Sequence, residues 1–370
     1  MLHRGDLGLA DVLPAAAHSL GVDAFADRLG LGACEIVVVC LIDGLGATAI
    51  ERHRDAFPSL AQAAGGSIEA AFPTTTATGL ATLGTGLSPG QHGILGASFY
   101  LPDRDDLLSP LHWGSDPHPA AVQPEPTVFE VCSDAGVRCT ALGPAAYAGS
   151  GLTQAVLRGS DYVHAETIVD RVDALRDLVS KASSNGARQL VYVYWPALDR
   201  AGHEFGPQTP QWRAAAADAD DLIGRIRSEL PDGGAVIVTA DHGMVDSGQR
   251  VWVEDEPTLS WGVRLLGGEP RMRYLYCDPD DVAGVADRWT QVFGNRVSIR
   301  TRRAAIDDHL FGTVDPALEE RIGDLVVICE AGTSIASRLA DPRLSALPGQ
   351  HGGLSDDERR IPGLILRGGR

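Results

Sequence analysis

Ile36-Val-Val-Val-Cys-Leu-Ile-Asp43-Gly, Val191-Tyr-Val-Tyr-Trp-Pro-Ala-Leu-Asp199-Arg-Ala-Gly-His203 and Ala235-Val-Ile-Val-Thr-Ala-Asp241-His242-Gly-Met share one design. Each is an apolar run of strand length that ends in acids or histidines. Runs of this kind read as buried strands of a parallel sheet. In open α/β sheets, ligands bind beyond the carboxyl ends of the strands. A fourth stretch, Gly349-Gln-His351-Gly-Gly, adds another imidazole, and Phe72-Pro-Thr-Thr-Thr76 adds hydroxyls. Carboxylates and imidazoles together form the ligand set of zinc and manganese.

Working outward, short apolar strands alternate with amphipathic stretches, the α/β signature. Strands are predicted at 35–42, 67–72, 138–143, 189–195 and 235–240. Helices are predicted near 48–64, 76–86, 126–135, 165–185 and 209–230. Beyond Asp241-His242 the pattern changes. Residues 256–325 carry their own strand-helix-strand pattern, yet His351 follows and must return to the same sheet edge. The chain therefore reads as a catalytic core in two parts, 1–255 and 326–370, with 256–325 inserted as a small α+β cap expected to stand over the site.

Each motif also has a plainer reading. Asp43 is placed to cap a helix starting near Thr48. Asp199 and His203, four residues apart, face one side only on a helix or tight turn. Adjacent Asp241 and His242 diverge unless the backbone turns at Gly243. His92, in Gly90-Gln-His92-Gly, reads as a turn residue or a neighbour of the ligands. His18, His53, His112, His118, His164 and His309 have no such setting. Of Thr74, Thr75 and Thr76, two are expected to serve structure. A hydroxyl at a helix N-terminus sits where N–H groups favour an anion.

Composition narrows the class. The chain has 370 residues, 44% hydrophobic and 22% charged, with a formal net charge of −18. That charge argues against coating a nucleic-acid duplex or an anionic membrane. It leaves phosphate substrates open, because two dications reverse the local field. No run reaches the ~18 apolar residues that span a bilayer. The N-terminal Met1-Leu-His-Arg-Gly-Asp lacks a signal-peptide pattern, and the six cysteines show no Cys-x-x-Cys spacing. A cytoplasmic, reduced protein is expected, as a monomer or weak oligomer.

The order Asp43, Thr76, Asp199-x-x-x-His203, Asp241-His242-Gly-Met, Gly-x-His351-Gly resembles the alkaline phosphatase superfamily. Within it, Phe72-Pro-x-x-Thr76, Thr85-Gly86-Leu-x-Pro89-x-x-His92-Gly93-Ile and Asp199-x-x-Gly-His203-x-x-Gly206-Pro207 resemble the type I nucleotide pyrophosphatase/phosphodiesterase family. The resemblance covers roughly 33–95, 188–246 and 345–366. It implies an alkaline phosphatase-like core, with a central, mostly parallel sheet flanked by helices. It implies two divalent ions, zinc or manganese: one on Asp199, His203 and His351, the other on Asp43, Thr76, Asp241 and His242. It makes Thr76 the nucleophile of a phosphodiesterase that passes through a phospho-threonine. The substrate is then a small soluble nucleotide, cyclic di-AMP among the candidates. Phe99, Tyr100 and Tyr147 are candidate stacking residues for its bases. The chain departs from the family where Phe-Pro-Asn follows the nucleophile. Here Ala77-Thr78-Gly79 stand, without the phenylalanine that lines the base pocket or the asparagine that holds a phosphoryl oxygen. Phosphonate or phosphomonoester hydrolysis on the same scaffold is the second reading, and a nucleotide-sensing module without turnover the third. A sulfatase lacks its Cys-x-Pro-x-Arg or Ser-x-Pro-x-Arg motif.

Overall fold

The computed structural model describes residues 7–369, so the N-terminal reading on Met1 to Asp6 lies outside the described residues. Its centre is a seven-stranded sheet. The strands run in the order Ala64–Glu69, Arg360–Arg367, Gly234–Thr239, Ile36–Ile42, Gln189–Trp195, Arg138–Gly143 and Asp161–His164. Arg360–Arg367 runs antiparallel to both neighbours, and the other pairings are parallel. Every residue of Ile36–Ile42 and Gly234–Thr239 is buried. Helices cover both faces of a parallel sheet, so such strands need no polar side. This is the expected mixed α/β, mostly parallel architecture.

Register aligns the chemistry. Ile42 pairs with Trp195 and Leu41 with Thr239. The residues that follow, Asp43, the Asp199 turn and Asp241, therefore leave the sheet at one edge.

Two strands of this sheet escaped the sequence reading. Asp161–His164 is a short, largely exposed edge strand with little apolar signal. Arg360–Arg367 contains Pro362 and Gly363, which read as breakers. The predicted helix at 48–64 is a correction. Ala47–Arg52 is helical, and two 3-10 turns, Arg54–Ala56 and Leu60–Gln62, replace the rest. Pro58 disfavours helical geometry at the residue before it and removes an N–H. Ile168–Asn185 and Pro210–Glu229 form close to their predicted places, started by Thr167 and Thr209, whose hydroxyls accept from first-turn N–H groups.

The inserted segment builds a second sheet, antiparallel, in the order Val263–Glu269, Met272–Cys277, Leu325–Cys329, Val297–Thr301. The expected boundary at 325 falls at the start of one of its inner strands. Both faces are buried. Met272, Tyr274 and Tyr276 pack with Phe72, Phe99, Trp113 and Phe311. Leu275, Cys277 and Val327 pack with Trp289 and Phe293. The sheet is thus wedged against the core with a hydrophobic face of its own.

Candidate active site

Four separate stretches converge at the sheet edge. Asp43 ends its strand, and Asp241 and His242 follow theirs. Asp199 and His203 lie on the helix Ala197–Phe205. His351 follows a two-residue ladder, Gly349–Gln350, paired with Val245–Asp246. Thr76 is the first residue of the helix Thr76–Thr85.

The ligand atoms form two adjoining groups. In the first, Asp199 Oδ1 is 3.5 Å from His203 Nε2 and 4.0 Å from His351 Nε2. In the second, His242 Nε2 is 3.5 Å from both Asp43 Oδ1 and Asp241 Oδ2, and 3.2 Å from Thr76 Oγ1. The His242 and His351 rings stack at 3.7 Å and join the two groups. Asp199 also belongs to a set with Asp43 and His242, all ligand atoms lying within 4.8 Å.

Hydrogen bonding fixes what these side chains offer. His203 Nδ1 donates to Gly349 O, His351 Nδ1 to Thr74 O and His242 Nδ1 to Gly243 O, each at 2.9 Å. A carbonyl only accepts, so each neutral ring carries its proton on Nδ1 and turns the Nε2 lone pair inward. His203 and His351 then face each other through Nε2 atoms 3.1 Å apart, with no proton between them. Asp43 Oδ1, Asp199 Oδ1 and Asp241 Oδ2 are buried without a hydrogen-bond partner. Converging lone pairs and unpaired carboxylate oxygens repel one another, and divalent cations would relieve that. The residues present therefore fit two metal ions.

The charges register the crowding. Burial, then Asp241 and Asp199, push the Asp43 carboxyl well above the usual carboxylate range. Burial, then His242 and His203, hold His351 well below an ordinary imidazole. Tyr194 O–H donates to Asp43 Oδ2, which leaves Oδ1 facing His242. The other Asp241 oxygen accepts from the N–H of Gly44 at 3.2 Å and of His242 at 3.1 Å.

Close packing explains two glycines. Gly44 adopts φ +76°, and a Cβ there would meet Asp199 at 3.0 Å. A Cβ on Gly79 would meet Asp241 Cβ at 2.6 Å. The Thr76 helix lies directly on Asp241, so no side chain fits at the position of the family asparagine.

Thr76, Asp43, Asp199 and His203 open into a cavity of about 420 Å³. Its walls are Tyr147, Tyr162, Tyr192 and Tyr194, with Leu80, Leu111, Leu142, Leu152, Val156 and Leu157. None of its lining comes from 256–325, the segment expected to stand over the site. The segment reaches the ligands only from the side, with Glu269 Oε2 3.4 Å from His351 Nδ1. Among the three stacking candidates, Tyr147 lines the cavity, 6.0 Å edge-on from Tyr194. Phe99 and Tyr100 do not. Phe99 is buried beneath Arg321 in the cluster shared with the second sheet. Tyr100 packs on Tyr276 and donates to Asp105.

His92 is buried with Nε2 on Thr82 and Nδ1 accepting from Ile94 N–H, and burial beside Arg321 lowers it to about 3. It pins the Thr76 helix to the following turn. Sequence reading missed Tyr192, Tyr194, Glu269, and Arg271 with Glu358. That last pair is bidentate at 2.9 and 3.0 Å, and Glu358 also accepts from Gly353 N–H beside His351. Tyr192 and Tyr194 were visible only as strand residues; their alternation marks the cavity face.

Fold and site define an alkaline phosphatase-like protein with two adjoining groups of candidate metal ligands. Residues 37–354 match the model of the family described as type I phosphodiesterase/nucleotide pyrophosphatase, and the chain belongs to that family. A similar solved structure is mouse ectonucleotide pyrophosphatase/phosphodiesterase 5, at TM-score 0.71 and 18% identity, covering 90% of this chain and 88% of that one. An inactive variant of that mouse protein has been solved in complex with AMP. The phosphonoacetate hydrolase of Sinorhizobium meliloti also shares the fold, at TM-score 0.67 and 19% identity over 90% of each chain. Mouse bis(5'-adenosyl)-triphosphatase enpp4 is 38% identical over 69 residues, 17% of this chain and 15% of the relative. Human ectonucleotide pyrophosphatase/phosphodiesterase family member 5 is 23% identical over 188 residues, 50% and 39% respectively. The matched stretches thus span well under half of these curated relatives.

Proposed function

We propose that this protein is a two-metal phosphodiesterase that hydrolyses a small nucleotide, cyclic di-AMP among the candidates, with Thr76 as nucleophile. One observation carries the reading. Three unpaired carboxylate oxygens and three inward Nε2 atoms converge at the end of a tyrosine-walled cavity, with the Thr76 hydroxyl 3.2 Å from the Nε2 of His242.

Asp199, His203 and His351 would hold one ion, and Asp43, Asp241, His242 and Thr76 the other. When bound, such ions act as Lewis acids that ease ionisation of the hydroxyl and neutralise phosphoryl charge. The chain supplies the rest. The Thr76 helix points its first N–H groups and positive dipole end toward the anion. Thr76 Oγ1 gives up its proton to solvent and attacks phosphorus. The opposite P–O bond breaks, and the leaving oxygen takes a proton from water. For a diester the covalent product is a nucleotidyl-threonine. Water then attacks that phosphorus, the P–Oγ1 bond breaks, and Thr76 recovers a proton. The protein's share is chiefly placement and charge.

The cavity supports a nucleoside-sized substrate. Aromatic and aliphatic walls next to the reacting centre suit a base and ribose. AMP in the mouse relative points the same way. The likeness to phosphonoacetate hydrolase favours a phosphonate as second reading, but so small a substrate leaves most of this apolar wall unused. The buried, unpaired thiols suit a reducing, cytoplasmic setting. The test compares p-nitrophenyl thymidine 5'-phosphate, cyclic di-AMP, p-nitrophenyl phosphate and phosphonoacetate with zinc and with manganese. Diesters should be the better substrates by at least about tenfold in kcat/KM, the discrimination a tenth-rate competitor implies at about 1.4 kcal/mol. Preference for phosphonoacetate would reverse the two readings.

A further inference from the structure

We propose that Arg200 binds a second phosphate of the substrate, beyond the one at Thr76, and so favours nucleotides with two phosphates over those with one. The proposal rests on the phosphodiesterase reading above and names the substrate class within it.

Arg200 lies on the helix Ala197–Phe205, between Asp199 and His203. It lines the same cavity as Thr76 and is the one arginine or lysine in that wall. It is exposed, and among the described residues its guanidinium makes no ion pair or hydrogen bond. Other arginines near the cavity are committed elsewhere. Arg171 donates to Tyr194 O and Thr167 O. Arg158 divides its donors among Glu130 and the carbonyls of Gln123, Glu125 and Ala155. In a chain of net charge −18, an arginine left without an acid at the mouth of this cavity has its fork free for an incoming oxyanion.

The rest of the wall offers a second anion little. Away from the proposed metal ligands it is leucine, valine, proline and tyrosine, with the Ser150 and Thr153 hydroxyls bonded to each other, so Arg200 is its one cation. A guanidinium presents a planar fork of donors that matches two phosphate oxygens at once. Its backbone is held on the helix that carries two of the proposed ligands, Asp199 and His203, so the side chain starts beside the reacting centre.

The test measures binding without turnover. Zinc-loaded Thr76→Ala protein is titrated calorimetrically with cyclic di-AMP, AMP and phosphonoacetate, with Arg200 intact, Arg200→Gln and Arg200→Lys. Arg200→Gln should weaken cyclic di-AMP about tenfold, the scale of one charge-assisted contact at a solvent-facing site, and AMP several-fold less. Arg200→Lys should recover part of the loss, and higher salt should shrink it. Equal losses on cyclic di-AMP and AMP, no loss on either, or a loss confined to phosphonoacetate would overturn the proposal. Failure of the wild-type enzyme to hydrolyse any ester would count against the phosphodiesterase reading instead, while the binding comparison still decides Arg200.

Discussion

Thr74 and Thr76 lie two positions apart in one threonine run and face different neighbours. Thr74 Oγ1 donates to Gly353 O at 2.8 Å and accepts from Gly352 N–H at 3.1 Å, and its carbonyl takes the His351 Nδ1 proton. Thr74→Ala leaves a buried carbonyl and a buried N–H without partners, which should destabilise the fold by about 1–3 kcal/mol. The His351 loop should loosen with it, so zinc affinity should fall; thermal melts and calorimetry on the purified variant check both. An unchanged zinc affinity would separate the Thr74 contact from the ligand set. At this scale the candidate ligands Asp43, Asp199 and Asp241-His242 were legible in the sequence because each follows an apolar run, whereas His351 and Thr76 stood out only through the family resemblance. Glu269 and Glu358 were not, since their partners lie far along the chain: Glu358 meets Arg271 across the boundary between the two sheets, which no local spacing shows.

At the scale of elements, the wall of the cavity comes from the turns and helices between Pro110 and Leu157 and from the Gln189–Trp195 strand. The inserted sheet was legible as a strand-helix-strand unit. Its position was not, because both of its faces are apolar and the sequence does not say which partner each one meets. On the proposed reading, the residues that meet the nucleoside lie on the Tyr147 side of the cavity and not in the insert. Tyr147→Ala should lower kcat/KM for p-nitrophenyl thymidine 5'-phosphate about tenfold relative to bis-p-nitrophenyl phosphate, as loss of one aromatic contact worth about 0.5–1.5 kcal/mol, together with its buried area, implies. A ratio of efficiencies that stays within twofold of wild type would remove Tyr147 from nucleoside binding. The missed strand Arg360–Arg367 has the same physical origin: its Pro362 and Gly363 are tolerated because the Ala64–Glu69 and Gly234–Thr239 partners supply the pairing that local propensity does not.

For the whole molecule, the site is a stability question as well as a catalytic one. No helix among the described residues is long and apolar enough to cross a membrane, and the buried acids Asp43 and Asp241 lie at one edge of the central sheet. The Asp43 carboxyl is raised in the folded protein, so the fold holds a proton there that the unfolded chain has released, and stability falls as pH rises through that raised value. His351 is lowered, so between its folded value and about 6.5 the unfolded chain binds the extra proton and stability falls as pH drops. Bound metal removes both penalties by taking the charged carboxylate and neutral imidazole as ligands. Zinc should therefore raise the Tm of chelator-treated protein, and the gain should be larger at pH 8 than at pH 5, where protons compete for the same atoms. Scanning calorimetry with EDTA or with zinc at the two pH values reads this directly; an equal gain at both would argue against ligation by Asp43 and His351.

The central claim is that Thr76 performs the attack within a site whose six other proposed ligands are enough to keep both metals without it. Its most direct measurement is the turnover of p-nitrophenyl thymidine 5'-phosphate by Thr76→Ala protein whose metal content has been determined in the same sample. The account predicts about two metal ions per chain and a fall in kcat of about 10³-fold or more, on the scale of losing a catalytic nucleophile. Turnover within tenfold of wild type in the metal-loaded variant would contradict it.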